Sequence, residues 1–464
     1  MTLNKKILAA AIVGGLFAAN AQAQVNLAAD PAAPVTYASE LVIPTGGLPL
    51  TGVAANGLRT PLQYSFSSGE VRYARIECPS NIRFASATVT ASSAAALGAV
   101  NGVGTNVITF SITATDASTN AASTVTVAGD RNITSTTNGD CTYSLYDQPS
   151  QAQAGGTTGR IATLTGSYIA FRTSYTLSAT ALTDTANVEA SPSFSRFVGD
   201  TALARDTAQL ATVAFGPRSP LPRLADGTNA HALSTILGAT SNHTIAGDFA
   251  NAANSDGTFT GTALERVYFD TDGNCDRLDG TIINATAVTA TSARFQTGAT
   301  TVAATLCYAP RTGVAIPVST YAQTFNAVSA AAATYTVGSL GPVAAGSITR
   351  NGTSLQAQFV QVPAGWLSRI VLTNTGSLAR PYTITAQTET GVTSTLGAGA
   401  SGTIPANGTI VLNTSDIATF TGATRGTLNV TVAGPNSDIQ GLYQIVNGAT
   451  GSIANTALVR PGTN

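Results

Sequence analysis

The sequence predicts an all-β protein built from tandem, immunoglobulin-like β-sandwich domains. Apolar and polar residues alternate with period two through segment after segment rich in Thr, Val, Ile and Tyr, the pattern of strands buried on one face. Gly, Asn and Asp punctuate these segments, and they are the residues that tight turns demand. The long apolar stripe of an amphipathic helix does not recur along the chain.

The first 23 residues read as an export leader. Lys5 and Lys6 form a basic start, Ile7 to Ala19 an apolar run, and Ala21-Gln22-Ala23 a small-x-small site for cleavage after Ala23. Nothing later has the roughly 18 uninterrupted apolar residues of a membrane helix. The stretch that follows, "VNLAADPAAPVTYASELVIP" (25–44), is apolar and broken by Pro31 and Pro34. It is either the first strand of its own domain or an extended arm that adds a strand to a neighbouring subunit.

Strands are expected at "EVRYARIEC" (70–78), "SATVTAS" (86–92), "NVITFSITAT" (106–115), "STVTVAG" (123–129) and "IAFRTSYTLSATAL" (169–182). The alanine runs at 94–97 and 330–333 offer a turn or two of helix at most. Two breaks follow: "GPRSPLPR" (216–223), whose prolines remove ladder donors, and "GSLGPVAAGS" (338–347), a Gly/Pro/Ser hinge. They divide the mature chain into an N-terminal β domain (24–215), a middle β domain (224–337) and a C-terminal sandwich (345–464). The same breaks also suit long crossovers within one large sandwich. The last block carries the clearest pattern, with strands at 367–376, 381–391, 402–416, 425–434, 439–451 and 452–461, the density of an immunoglobulin-like sandwich. Trp366, the single tryptophan, opens that block and is expected in its core or at the hinge.

Cys78, Cys141, Cys275 and Cys307 are an even set in an exported chain, so disulfides are expected. Sequential pairing, Cys78 with Cys141 and Cys275 with Cys307, keeps each bridge inside one block. In the chain-entropy picture each is worth roughly 4 kcal/mol. No C-x-x-C pair supports zinc.

Charged residues are only 10% of the chain, against roughly 25% in ordinary soluble proteins. Without the two leader lysines the 22 basic residues become 20 arginines against 23 carboxylates, a net charge of about −3. Nucleic acid and anionic membranes are poor partners for such a chain. The mature chain has no lysine. Codon bias explains this, and so does a surface largely committed to protein contact, where lysine is costly to desolvate and planar arginine is favoured.

Chemistry-bearing residues are sparse. His231 and His243 stand in "HALSTILGATSNH" without metal or catalytic spacing, and both read as loop histidines with no catalytic role. Glycosidase chemistry needs only two carboxylates, yet Glu40, Glu70, Glu77, Glu189, Glu265 and Glu389 are scattered and aromatics are only 6% of the chain. The most acidic stretch is "FDTDGNCDRLDG" (269–280), in which Asp270, Asp272, Asn274, Asp276 and Asp279 alternate oxygen-bearing side chains. Calcium is one reading, although the EF-hand glycine and the closing glutamate are out of place. A hydrophilic turn clamped by Cys275 is a second, and a cluster of catalytic acids a third.

With "LTNTG", "IPANGT", "LNVTV" and "VNGATG" in its last block, a leader, and a lysine-poor Ala/Thr/Gly composition, the chain resembles the surface-layer and surface-fibre proteins of Gram-negative bacteria. The resemblance implies a structural, non-enzymatic subunit at the cell surface whose partner is itself, in a lattice or filament, with an outer-membrane surface component as a further partner. Sheet edges normally carry gatekeeping charge against unwanted pairing, and this chain has discarded most of it. An adhesin for a host or glycan ligand is the alternative; an outer-membrane barrel and a secreted hydrolase rank below it.

Overall fold

The computed structural model describes residues 24–461 except 52–56, 117, 189, 191, 193, 200–205, 278–280 and 363. The leader with its Ala23 cleavage site, Glu189 and Asp279 therefore lie outside the described residues. The fold is all-β, a tandem of β-sandwich units. Among the described residues no helix is long and apolar enough to cross a membrane.

In the first unit a six-stranded sheet runs in the order Val35–Ala38, Arg160–Arg172, Gly139–Tyr146, Val71–Glu77, Val107–Ala114, Ala95–Leu97. Strict alternation makes the strand Val107–Ala114 bury Ile108, Phe110, Ile112 and Ala114 while the residues between them stay half exposed. These side chains join one buried cluster with Val125 and Val127 of a four-stranded sheet and Ile82, Phe84 and Ile133 of a three-stranded one. Arg131 is fully buried there. Its guanidinium donates to the carbonyls of Gly129 at 2.7 Å and Val127 at 3.2 Å and lies over the rings of Phe84 and Tyr168, so backbone dipoles and ring faces take the place of water. Cys78 is bonded to Cys141.

The second unit is held by aromatic rings. A five-stranded sheet (Tyr175–Ala181, Ala208–Pro217, Val302–Tyr308, Val267–Asp270, Ile282–Asn284) contributes Phe215 and Phe269. A six-stranded sheet containing Asn242–Ala246, Ser292–Phe295 and Ser319–Asn326 contributes His243, Phe295 and Phe325. Phe215 stacks on Phe325 at 4.1 Å between centroids and Phe269 meets Phe295 at 4.3 Å. Offset and tilted contacts of this kind add to the area that large rings bury. Cys275 is bonded to Cys307.

Strand pairing draws the unit boundaries elsewhere than the Pro- and Gly-rich breaks suggest. Position 215 lies inside the strand Ala208–Pro217, which pairs with Tyr175–Ala181 on one side and Val302–Tyr308 on the other. The change of sheet comes at Thr173 and Ser174, which split the expected 169–182 strand into Arg160–Arg172 and Tyr175–Ala181. Buried residues from 25 to 348 form one continuous core, and a second core starts at Leu355. The 338–347 segment is no hinge, because it belongs to the strand Leu340–Arg350 paired with Ser319–Asn326.

The N-terminal stretch is part of its own fold rather than an arm. Val25–Asn26 pairs parallel with Leu58–Pro61, Val35–Ala38 pairs parallel with Arg160–Arg172, and Val25, Leu27, Val35 and Tyr37 are buried. Glu40 pins this stretch to the junction at 173–174. Its carboxylate accepts the Ser174 amide at 2.9 Å and the Ser174 hydroxyl at 3.2 Å. Burial raises its pKa, and the two Ser174 bonds oppose that rise. Of the alanine runs, 95–97 is an edge strand and 331–335 a turn; a six-residue helix, Pro149–Ala154, forms where Pro149 opens its first turn.

The last unit is a sandwich of two four-stranded sheets. One runs Thr353–Gln361, Arg425–Val432, Arg380–Gln387, Ser401–Ile404; the other runs Gly408–Asn413, Trp366–Asn374, Ile439–Asn447, Ile453–Ala457. Leu355, Ile370, Leu372, Ile384, Leu428, Val430 and Ile439 fill the space between them. Trp366 is 40% exposed and takes no part in that core.

The Glu40 contact yields a prediction. Glu40→Gln keeps an acceptor for the Ser174 amide and turns the second contact into an amide-to-hydroxyl bond without burying charge, so urea unfolding is expected to find it as stable as the parent. Glu40→Ala leaves the buried Ser174 groups unpaired and is expected to lose about 2 kcal/mol.

Candidate functional site

The residues that could carry chemistry are dispersed and locally satisfied. His243 is a strand residue of the aromatic core, not a loop histidine: it is fully buried, with the rings of Phe215, Phe325 and Phe269 around it. The Gln323 side-chain amide lies 2.9 Å from Nδ1 and is its hydrogen-bond partner. Burial pushes the His243 pKa down to about 4. His231 sits in the loop before Leu233–Thr235, half buried, and burial lowers its pKa as well. No bond or ring contact joins the two histidines.

The glutamates also stay apart. Glu70 takes the Tyr64 hydroxyl and the Ser67 amide and pairs with Arg72. Glu77 pairs with Arg75, Glu265 with Arg277, and Glu389 with Arg425. Among the described residues each of these glutamates is engaged by donors close to it, which leaves no carboxylate pair marked out for the glycosidase chemistry considered above.

The acidic stretch leaves the strand Val267–Asp270 and closes on itself. Asp270 is fully buried, and one of its oxygens accepts the Cys275 amide at 2.7 Å. Asp272 accepts the Asn274 amide at 3.2 Å, and Asn274 accepts the Asp276 amide at 2.8 Å. Each is a side chain bonding to the backbone two residues on, the Asx-turn that Asp and Asn make readily. Cys275 and Arg277 adopt positive φ. The structure thus brings Asp270, Asp272, Asn274 and Asp276 into one turn whose oxygens hold its own amides. Asp270 also lies beside Cys275 and Cys307, but the two sulfurs are bonded to each other and offer no thiolate.

What the fold does expose is sheet surface. In the last sandwich the outer face of one sheet is polar, with Thr383, Thr385, Thr427, Asn429, Thr431, Ser354 and Gln356 alternating outward and Gln356 donating to Asn429 at 2.8 Å. The other sheet differs. Register places Ile453, Val446 and Leu367 in one row, Ala457, Leu442, Val371 and Val411 in another, and Asn455, Gln444, Arg369 and Asn413 between them. Leu367, Val411 and Ile453 are more than half exposed. Arg369 donates to Gln444 at 2.6 Å and Gln444 to Asn455 at 2.8 Å, so the polar row is bonded across the sheet. Apolar side chains this exposed, in rows divided by a bonded polar row, depart from the polar outer face expected of a solvated sandwich.

Sequence reasoning missed this face. Its signal was available: the strands at 366–374 and 439–447 are apolar in both registers, Ile370 and Leu372 inward but Leu367 and Val371 outward, where a solvated outer face would be polar.

Two predictions follow from these environments. His243 stays neutral in the fold while the unfolded chain takes up its proton near 6.5, so between pH 6.5 and 4 the unfolded state binds more protons. Stability is expected to fall as pH drops through that window, by on the order of 3 kcal/mol in total, and to level off below it; His243→Phe flattens that part of the profile in denaturant titrations. The acidic turn is closed by its own amides and a disulfide, so EDTA is expected to leave the melting temperature unchanged; a drop of several degrees that calcium restores would show that an ion is part of the turn. In comparison with known proteins, the family model described as S-layer protein Slr4 matches residues 63–449. No curated protein matches the chain.

Proposed function

The chain belongs to the S-layer protein Slr4 family, and from that premise we propose that it is an exported, non-catalytic subunit that self-assembles into a surface layer. Membership supports a structural protein at the cell surface; the self-assembly, the export route through cleavage after Ala23 and a Gram-negative outer membrane as the surface beneath are our reading. The observation that carries it is the combination of scarce charge with exposed apolar sheet surface. Charged residues are 10% of the chain, and Leu367, Val411 and Ile453 face outward beside edge strands without ionic side chains. Ionic repulsion and edge-guarding charge keep secreted β-proteins apart, and this chain has little of either.

The local engagement of the described carboxylates supports the non-catalytic part. The residues of enzymatic type among those described include a buried neutral histidine, a second histidine half buried in a loop, and carboxylates held by nearby donors.

Electron microscopy of the purified chain is expected to show sheets or filaments, and dispersed single particles at high protein concentration would contradict the reading. Because the contacts are apolar and backbone in kind, raising sodium chloride from about 0.05 to about 0.5 M is expected to shift the assembly threshold only about threefold or less, whereas an ionic lattice weakens steeply as the Debye length shrinks.

A further inference from the structure

We infer that the strand Ile453–Ala457 is the edge by which one copy of this chain adds to another, in antiparallel self-pairing centred on Asn455. The inference rests on the self-assembly reading and deepens it by naming the surface.

The backbone supplies the first argument. Ile453–Ala457 is the last strand of its sheet and pairs with Ile439–Asn447 on one side only. The Leu458 amide donates to the Gly441 carbonyl and the Asn447 amide to the Ser452 carbonyl, each at 2.9 Å. In an antiparallel ladder bonded and non-bonded pairs alternate. Ala454 and Thr456 therefore direct their amides and carbonyls inward to the sheet, and Ile453, Asn455 and Ala457 direct theirs outward. Every residue of the strand is exposed.

The second argument is the lack of a guard. No charged residue lies between Asp438 and Arg460, and Arg460 is occupied with Asn436 and the Ile439 carbonyl. The other edge of this sheet, Gly408–Asn413, is equally free of ionic side chains, but every second residue of it is half buried and it turns directly into the helical turn Thr414–Ile417, where the Asp416 carboxylate accepts the Asn413 side-chain amide at 3.1 Å. The edge of the facing sheet, Thr353–Gln361, is bulged after Ala357, and its Gln356 is already paired with Val459. Charge and bulges are what keep strand edges from joining; Ile453–Ala457 has neither.

The third argument selects the occupant. Antiparallel pairing about Asn455 sets Asn455 opposite Asn455, and Ile453 opposite Ala457, of the second copy. Three donors and three acceptors on each side are then satisfied. Residues directly opposite share a face, so the rows of the outer face continue across the junction. The polar row Asn413, Arg369, Gln444, Asn455 meets itself, and the apolar row ending in Ile453 meets the row ending in Ala457. A shift of one residue would turn apolar rows to the opposite face and break both. A cleft of about 310 Å³, lined by Phe359, Tyr443, Ile445, Thr456 and Leu458, opens on the same flank.

The test uses the full chain, whose four cysteines are already bonded. Asn455→Cys is expected to give a dimer crosslinked by a short bis-maleimide, because its symmetry mate is its direct neighbour at the roughly 5.5 Å of a hydrogen-bonded pair; Thr431→Cys, on the polar outer face of the facing sheet, is not. Asn455→Pro removes the outward amide, which an edge strand tolerates, together with the exposed bond from Gln444, and Ala457→Lys adds a guard at an exposed position. Each is expected to raise the concentration needed for assembly by about tenfold or more in sedimentation velocity, with circular dichroism unchanged. If the parent forms sheets while Asn455→Cys stays uncrosslinked and both other variants assemble like the parent, the layer uses another surface and this inference is wrong although self-assembly stands. If the parent itself neither assembles nor yields the crosslink through Asn455→Cys, the self-assembly reading fails and takes the inference with it.

Discussion

A strand at the end of a sheet leaves a row of amide donors and carbonyl acceptors without partners, and something must either satisfy or guard them. The rest of this structure follows from that constraint. A chain whose regular structure is nearly all strand has many such rows, and this one has few charged side chains with which to guard them. Inside the chain it covers them with itself. The N-terminal stretch pairs with Leu58–Pro61 and Arg160–Arg172, Tyr37 bridges to Arg223, and Val459 closes onto Gln356. The strand Ile453–Ala457 has no such cover.

The interior shows how so little charge is accommodated. Three buried polar groups are bonded to backbone or to another uncharged side chain rather than paired as ions. Glu40 takes two bonds from Ser174, Arg131 donates to carbonyls between two rings, and His243 is held neutral among phenylalanines beside Gln323. Such groups fix which strand lies against which, because each leaves a partner unpaired in any other register. Rigid units of this kind suit a layer, in which errors of register propagate from one subunit to the next.

The fold class was legible in the sequence because alternation with period two is a direct consequence of strand geometry. Expected strands such as 106–115 and 123–129 appear within a residue or two of their predicted ends. Sequential disulfide pairing was legible too, since each cysteine pair falls in one compositional block and the structure joins those pairs. Unit boundaries were not. Proline-rich "GPRSPLPR" looks like a linker, yet the chain had already crossed into the second unit at Thr173 and Ser174, two polar residues without any composition shift. Long-range pairing decides such a crossing, and local sequence does not encode it. His243 and Trp366 show the same limit. A histidine beside Asn242 reads as loop and a lone tryptophan as core, but cross-strand neighbours put the first inside and left the second on the surface. The candidate interface was half legible: the missing edge charge was plain, whereas its outward apolar rows appear only once register is known.

Hydrogen–deuterium exchange on assembled and dispersed protein tests the central claim most directly. If an unguarded strand edge joins the subunits, the amides of Ile453, Asn455 and Ala457 exchange freely in the dispersed chain and become strongly protected on assembly, while those of exposed loops do not change. Assemblies in which these three amides exchange as fast as in the dispersed chain would contradict it.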